Sequence, residues 1–129
     1  MKAEFLQLAP QLVVADVVKT TEYYRDYLGF EILGYWHEPP VFAIVRRGSV
    51  ELQVGLADDV THPQTSNTAQ RKGGLDLYIT VGNIQSLFHE INTKGVKIVE
   101  PLCEQVYGMI EFAVEDCNGF KLVFGQDAR

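Results

Sequence analysis

Apolar and polar residues follow one another in short alternating or clustered runs from residue 5 to residue 56, and the same order of runs begins again at residue 75. Residues 5–14 read as a strand. Asp16 stands where a helix N-cap belongs, Val17, Thr21, Tyr24 and Leu28 fall on one face of the helix that follows, and Gly29 supplies the left-handed residue that ends it. Residues 30–36, 41–46 and 50–56 read as three further strands, separated by Glu38-Pro39-Pro40 and Arg47-Gly48-Ser49 as turns. The polar stretch 57–73 has no apolar period and reads as a linker loop. Then 75–81 is a strand, Asn83 is placed to cap a helix with Ile84, Leu87, Phe88 and Ile91 on one stripe, Gly95 closes it, and 96–99, 109–115 and 120–125 are strands.

The two halves align. Val14-Ala15-Asp16-Val17 falls on Val81-Gly82-Asn83-Ile84, and Gly29-Phe30-Glu31-Ile32 on Gly95-Val96-Lys97-Ile98, once a single residue is removed from the second helix. The fold class expected is therefore α+β: two tandem βαβββ modules, residues 1–56 and 74–129, whose curved mixed sheets each carry a helix on one face and together form a cup. Strand alternation assigns Leu8, Leu12, Val14, Val50, Leu52 and Val54 to the core of the first module. In the second module the core set is Leu75, Leu77, Ile79, Val81, Ile110, Phe112, Val114, Phe120, Leu122 and Phe124. Ala9, Gln11, Val13, Glu51 and Gln53, then Asp76, Tyr78, Thr80, Glu111, Ala113, Lys121 and Val123, are left for the concave side.

At 129 residues a chain hides roughly two-thirds of its unfolded surface, enough for a core without disulfide or metal staples. Seventeen acidic against eleven basic side chains give a net charge of -6, and no basic run exceeds the pairs Arg46-Arg47 and Arg71-Lys72, so nucleic acid and anionic membranes are not expected partners. No apolar run approaches the ~18 residues of a membrane span, and nothing in the first thirty residues has the pattern of an export signal. Cys103 and Cys117 then read as reduced thiols of a cytoplasmic protein.

Four segments in this order, LVVADVVKTTEYYRDYLGFEIL, GSVELQV, DLYITVGNIQSLFHEINTKGVKI and EFAVEDCNGFKLVFG, resemble the glyoxalase/bleomycin-resistance/extradiol-dioxygenase group, the vicinal oxygen chelate superfamily. The pattern D-x(7)-Y-x(3)-LGF from Asp16 to Phe30 and D-x-NG from Asp116 to Gly119 carry the resemblance most specifically. It implies paired βαβββ modules, commonly in a homodimer, and in the enzymes a divalent metal held by side chains from the first and last strand of each module. Those places are Ala9, Glu51, Asp76 and Val123 here. Ala9 and Val123 have no donor atom, and two carboxylates fall short of the three protein ligands of a catalytic site. Gln11 and Glu111 are further oxygen donors on the same wall, while His37, His62 and His89 fall outside it and outside metal-motif spacing.

No cofactor is expected, and two converging carboxylates without a metal call for a cation, either Lys121 or a ligand's own. The aromatic residues Tyr35, Trp36, Phe42, Tyr78 and Tyr107 fit a rim for flat or cationic molecules. The reading is a binding protein rather than an enzyme. It resembles the metal-free bleomycin-resistance branch, which implies a role in antibiotic resistance, and it takes a small, cationic or aromatic molecule on Gln11, Glu51, Gln53, Asp76, Tyr78, Glu111, Lys121 and Trp36. The alternative is a lyase or isomerase of the glyoxalase kind with one divalent metal ion on Glu51 and Asp76; an accessory module with a vestigial cup is a third.

Overall fold

The computed structural model describes all 129 residues. Contacts divide the chain into two compact units, Met1–Arg25 with Gly29–Pro63 and Asp26–Leu28 with Gln64–Arg129. The first holds β1 (Gln11–Val14), most of α1 (Val17–Leu28), β2 (Glu31–Trp36), β3 (Phe42–Arg47) and β4 (Val50–Leu56). Its sheet runs β1-β4-β3-β2, with β1 parallel to β4 and the other pairs antiparallel. The second holds β5 (Leu77–Thr80), α2 (Ile84–Thr93), β6 (Lys97–Glu104), β7 (Met109–Glu115) and β8 (Lys121–Asp127), in the order β5-β8-β7-β6 with the same directions. Each unit is a βαβββ module, and the protein is α+β. No helix is long and apolar enough to cross a membrane.

Helix α1 starts and stops where its sequence dictates. Asp16 is extended and its carboxylate accepts from Lys19 N at 2.9 Å, and Gly29 takes φ 73°, returning its N–H to the Tyr24 carbonyl. Val17, Thr21, Tyr24 and Leu28 are all buried. Thr21 is not merely filler: its hydroxyl shares a 2.7 Å hydrogen bond with the Tyr35 hydroxyl on β2, and the Tyr24 ring meets Phe30 edge-on at 5.4 Å.

The second helix departs from expectation at its start. Asn83 lies in the left-handed region (φ 57°, ψ 56°) and makes no capping bond, because that backbone turns its side chain away from the first turn. The orphan N–H of Ile84 is satisfied instead by the Gln126 side chain of β8, at 2.7 Å. Ile84, Leu87 and Ile91 are buried, α2 packs on β6, β7 and β8, and Phe88 meets Phe112 edge-on at 5.1 Å.

Three further expectations are corrected. Residues 5–10 form no strand, since β1 begins only at Gln11, and Leu8, expected in the core, is 82% exposed. Pro10 lacks an N–H to donate, and only its carbonyl joins the ladder, accepting from Gln53 N. The strand expected at 96–99 extends to Glu104 through two register shifts that absorb Pro101. Leu75, Val81, Val50 and Ile110 are half-buried rather than core, while the rest of the assigned sets from Leu12 to Phe124 are buried.

Replacing Gln126 with Ala removes the acceptor for Ile84 N and lowers the unfolding free energy by about 1 kcal/mol, as loss of a helix N-cap does. Urea denaturation measures it; unchanged stability means another acceptor serves that N–H.

Candidate functional site

In the second unit, strand alternation leaves Tyr78 on β5, Glu111 and Ala113 on β7, and Lys121, Val123 and Gly125 on β8 on the face away from α2. Tyr78 is in register with Val123, and Glu111 with Gly125. The Tyr78 ring therefore crosses β8 diagonally, and only the absence of a side chain at Gly125 lets it pass: a Cβ there would sit 2.7 Å from the phenol Cζ and nearer still to its oxygen. On the far side the hydroxyl donates to Glu111 Oε2 at 2.5 Å. Tyr107, from the turn between β6 and β7, donates to Glu111 Oε1, also at 2.5 Å.

Glu111 is 8% exposed, and each of its carboxylate oxygens holds one phenol proton. These are charge-assisted bonds of the short kind. Both tyrosines respond as phenols pinned beside a negative charge. Burial first, then the bond to Glu111, pushes Tyr78 up to about 12; for Tyr107 the bond to Glu111 comes first and burial second, to about 12 as well. Tyr78 is 42% exposed as a residue, but its hydroxyl end is the part sunk over Gly125.

Asp76 is spent on the scaffold. Its carboxylate accepts from Ser66 Oγ at 2.6 Å, Asn67 N at 2.8 Å and Lys121 N at 2.9 Å, bolting the short turn at Asn67–Ala69 to the start of β8. Lys121 reaches it only through the backbone. The Lys121 ammonium goes to Glu100 at 2.6 Å, not to the carboxylates it was expected to neutralise.

The first unit repeats the lattice with other chemistry. Gln11 is in register with Gln53 and bonds it side chain to side chain at 3.1 Å, its amide lying over Gly55, which faces Phe42 on β3. Gln11, Gly55 and Phe42 thus occupy the places of Tyr78, Gly125 and Glu111. Trp36, exposed on the edge strand β2, meets the Phe42 ring edge-on at 5.4 Å. Glu51 is half-buried and receives a long 3.5 Å contact from Gln7.

The donor set does not fit a catalytic metal. Of the four places the resemblance implies, Ala9 and Val123 are hydrocarbon and Asp76 already accepts three internal hydrogen bonds, which leaves Glu51 as the one carboxylate mostly open. No three His, Cys, Asp or Glu side chains gather as a metal cluster. His37, His62 and His89 are exposed, and His62 is held by Asp59 at 2.9 Å.

Strand alternation finds Tyr78 and Glu111, but not what joins them. Gly125 shares their face and is the one legible signal of a side chain crossing β8. Tyr107 stands in a turn, outside any period.

Two outcomes follow from the cluster. Gly125→Ala drives the Tyr78 hydroxyl off Glu111 and costs about 1–3 kcal/mol as an overpacked position, measured by urea denaturation. The neutral phenols are favoured in the folded state, so their contribution is whole below pH 10 and is lost as pH rises toward 12. An ultraviolet titration should show two tyrosines ionising near 12, and Glu111→Gln should lower both, Tyr107 more fully than Tyr78, whose burial remains; titration of all six near 10 contradicts the bonding.

The chain has structural relatives throughout its length. TioX from Micromonospora sp. ML1 superposes with a TM-score of 0.74 at 16% identity, over 94% of this chain and 98% of that one. The bleomycin-binding protein from bleomycin-producing Streptomyces verticillus, complexed with copper(II)-bleomycin, gives 0.69 at 24% identity over 99% of each chain. A glyoxalase/bleomycin resistance protein/dioxygenase from Nocardioides gives 0.68 at 15% identity, over 98% of this chain and 86% of that one. At these identities the likeness is one of fold. No curated protein matches by sequence. Residues 5–124 match the family model of the Glyoxalase/Bleomycin resistance protein/Dioxygenase superfamily, and the chain belongs to that family.

Proposed function

We propose that this protein binds a small organic molecule, cationic and aromatic in character, and holds it without metal chemistry. One observation carries the reading: of the four places where the resemblance sets metal donors, two are hydrocarbon and a third accepts hydrogen bonds from Ser66, Asn67 and Lys121 on its two oxygens. What the sheets offer in place of a chelate is a set of rings and acceptors. Trp36 and Tyr78 have exposed faces, Gln11 and Gln53 present amides, and Glu51 and Glu111 supply negative charge. Rings and acceptors of this kind, on either sheet by itself, suit a flat molecule with a positive group. The fold it shares with a bleomycin-binding protein supports binding as the role; drug resistance as its consequence and the cytoplasm as its place are further parts of the proposal. In this reading Asp76 and Lys121 shape the site from behind, through the turn and through Glu100.

The functional unit in this proposal is a homodimer. Phe5, Leu6 and Leu8 stand almost fully exposed on a segment without regular structure, next to the edge strand β1, and apolar surface of that kind is what a second copy covers. Changing all three to Ser should convert a dimer to a monomer in sedimentation velocity while the circular dichroism is kept. A wild-type monomer at high concentration contradicts the dimer.

Binding is tested by calorimetry and native mass spectrometry with metal-free basic glycopeptides and a set of aryl cations, with and without chelator. At a hundredfold excess over Kd a ligand of the folded state adds about 2.7 kcal/mol of stability. The expected result is a saturable ligand whose affinity is indifferent to chelator and to added Mn, Ni, Zn or Fe. Retention of one metal per site, lost on Glu51→Gln, would establish the glyoxalase-type alternative instead; no ligand and no metal would leave an accessory module.

A further inference from the structure

We propose that Glu111, flanked by the Tyr78 and Tyr107 hydroxyls, recognises an N–H-bearing organic cation, a primary ammonium or a guanidinium, carried on a flat apolar body. The inference rests on the binding role proposed above and names the chemistry of one end of the ligand.

Hydrogen-bond accounting sets the polarity of the site. A phenol has one proton, and both tyrosines spend theirs on Glu111. Their oxygens keep lone pairs, and the carboxylate keeps acceptor capacity beyond the two bonds it has. The cluster therefore presents acceptors and no donors. An anion or a carbonyl finds nothing there to bond, whereas an ammonium or guanidinium finds several oxygens converging on one negative group.

Charge points the same way. The cations at hand on this sheet are matched with other carboxylates: Lys121 with Glu100 at 2.6 Å, Lys97 with Glu115 at 2.8 Å and Arg129 with Asp127 at 3.2 Å. Glu111 is held by phenols alone. A carboxylate that is 8% exposed gains most from a countercharge that arrives already bearing N–H groups. The two rings add to this, because Tyr78 and Tyr107 are 42% and 62% exposed and donation to a carboxylate enriches the ring in electron density, which favours a cation at its face. Gly125 marks the arrangement as built rather than incidental: any side chain there would separate Tyr78 from Glu111.

The competing account makes the cluster a clasp that fastens the turn before β7 to the sheet. Titration of the 129-residue protein with benzylamine, phenylguanidine, benzyltrimethylammonium and benzyl alcohol, followed by heteronuclear NMR, separates them. The first two should shift the signals of Tyr78, Tyr107 and Gly125 and bind at least roughly tenfold more tightly than the last two, the worth of a charged hydrogen bond. Glu111→Gln should remove that preference. Tyr107→Phe, at an exposed turn, should weaken it several-fold with the spectrum otherwise intact, which guards against a Glu111 variant that misfolds. Equal affinity for the quaternary ammonium, no shift at these residues with either N–H cation, or unaltered binding in both folded variants overturns the site. A glycopeptide whose affinity survives both substitutions overturns the site alone and leaves the binding role standing, whereas failure of every compound removes both.

Discussion

A carboxylate can be buried only if something supplies it with protons to accept, and on this sheet two tyrosines do so for Glu111. The arrangement depends on backbone more than on side chains. Glu111 and Gly125 are register partners, Tyr78 is one strand further out, and the bare Cα of Gly125 is the gap through which the phenol reaches. Fill that gap and the carboxylate loses a donor, at the cost that attends any buried charge left short of partners. The neutral form of both phenols and the donor-free character of the cluster follow from this contact set, and it adds to burial in raising the pKa of Tyr78 and leads burial in raising that of Tyr107.

Duplication explains why the other module has the same geometry with different content. In both, a side chain of the first strand lies over a glycine of the last strand, and that glycine is in register with a residue of the strand beyond. In one case these are glutamine and phenylalanine, with Trp36 beside them; in the other, tyrosine and glutamate, with Tyr107. A repeated backbone thus carries an amide and rings in one module and a carboxylate held by phenols in the other. The same economy bears on metal binding. Of the places where the resemblance sets metal donors, Ala9, just before β1, and Val123 on β8 have no donor atom, while Asp76 has been drawn into fastening a turn. A carboxylate that holds a backbone N–H and a serine hydroxyl does structural work, whatever its position in a sequence pattern.

How much of this was legible beforehand depended on whether a period was present. Strands buried on one face alternate, so Leu52, Val54, Phe112, Leu122 and their kin were assignable, as were the duplicated modules and the α+β class. Residues 5–10 misled because Phe5, Leu6 and Leu8 imitate a strand, and composition cannot report that no neighbouring ladder extends to them. Asn83 misled because residue type suggests a cap while the left-handed backbone forbids it; the true acceptor for Ile84, Gln126, comes from a strand 42 residues on. At the site, Tyr78 and Glu111 were recoverable from alternation, and Gly125 shared their face. The partners of Asp76 were not recoverable, since Ser66 and Asn67 sit in an aperiodic loop, and neither was the destination of the Lys121 ammonium, which a strand pattern leaves free to swing.

The most direct measurement is a crystal structure of the protein grown with an aryl ammonium ligand and with added zinc. The account predicts the ligand nitrogen within hydrogen-bond distance of Glu111 and a phenol oxygen, with Asp76 still bonded to Ser66 and Asn67. A zinc ion ligated by Glu51 and Asp76, with those internal bonds broken, would contradict it.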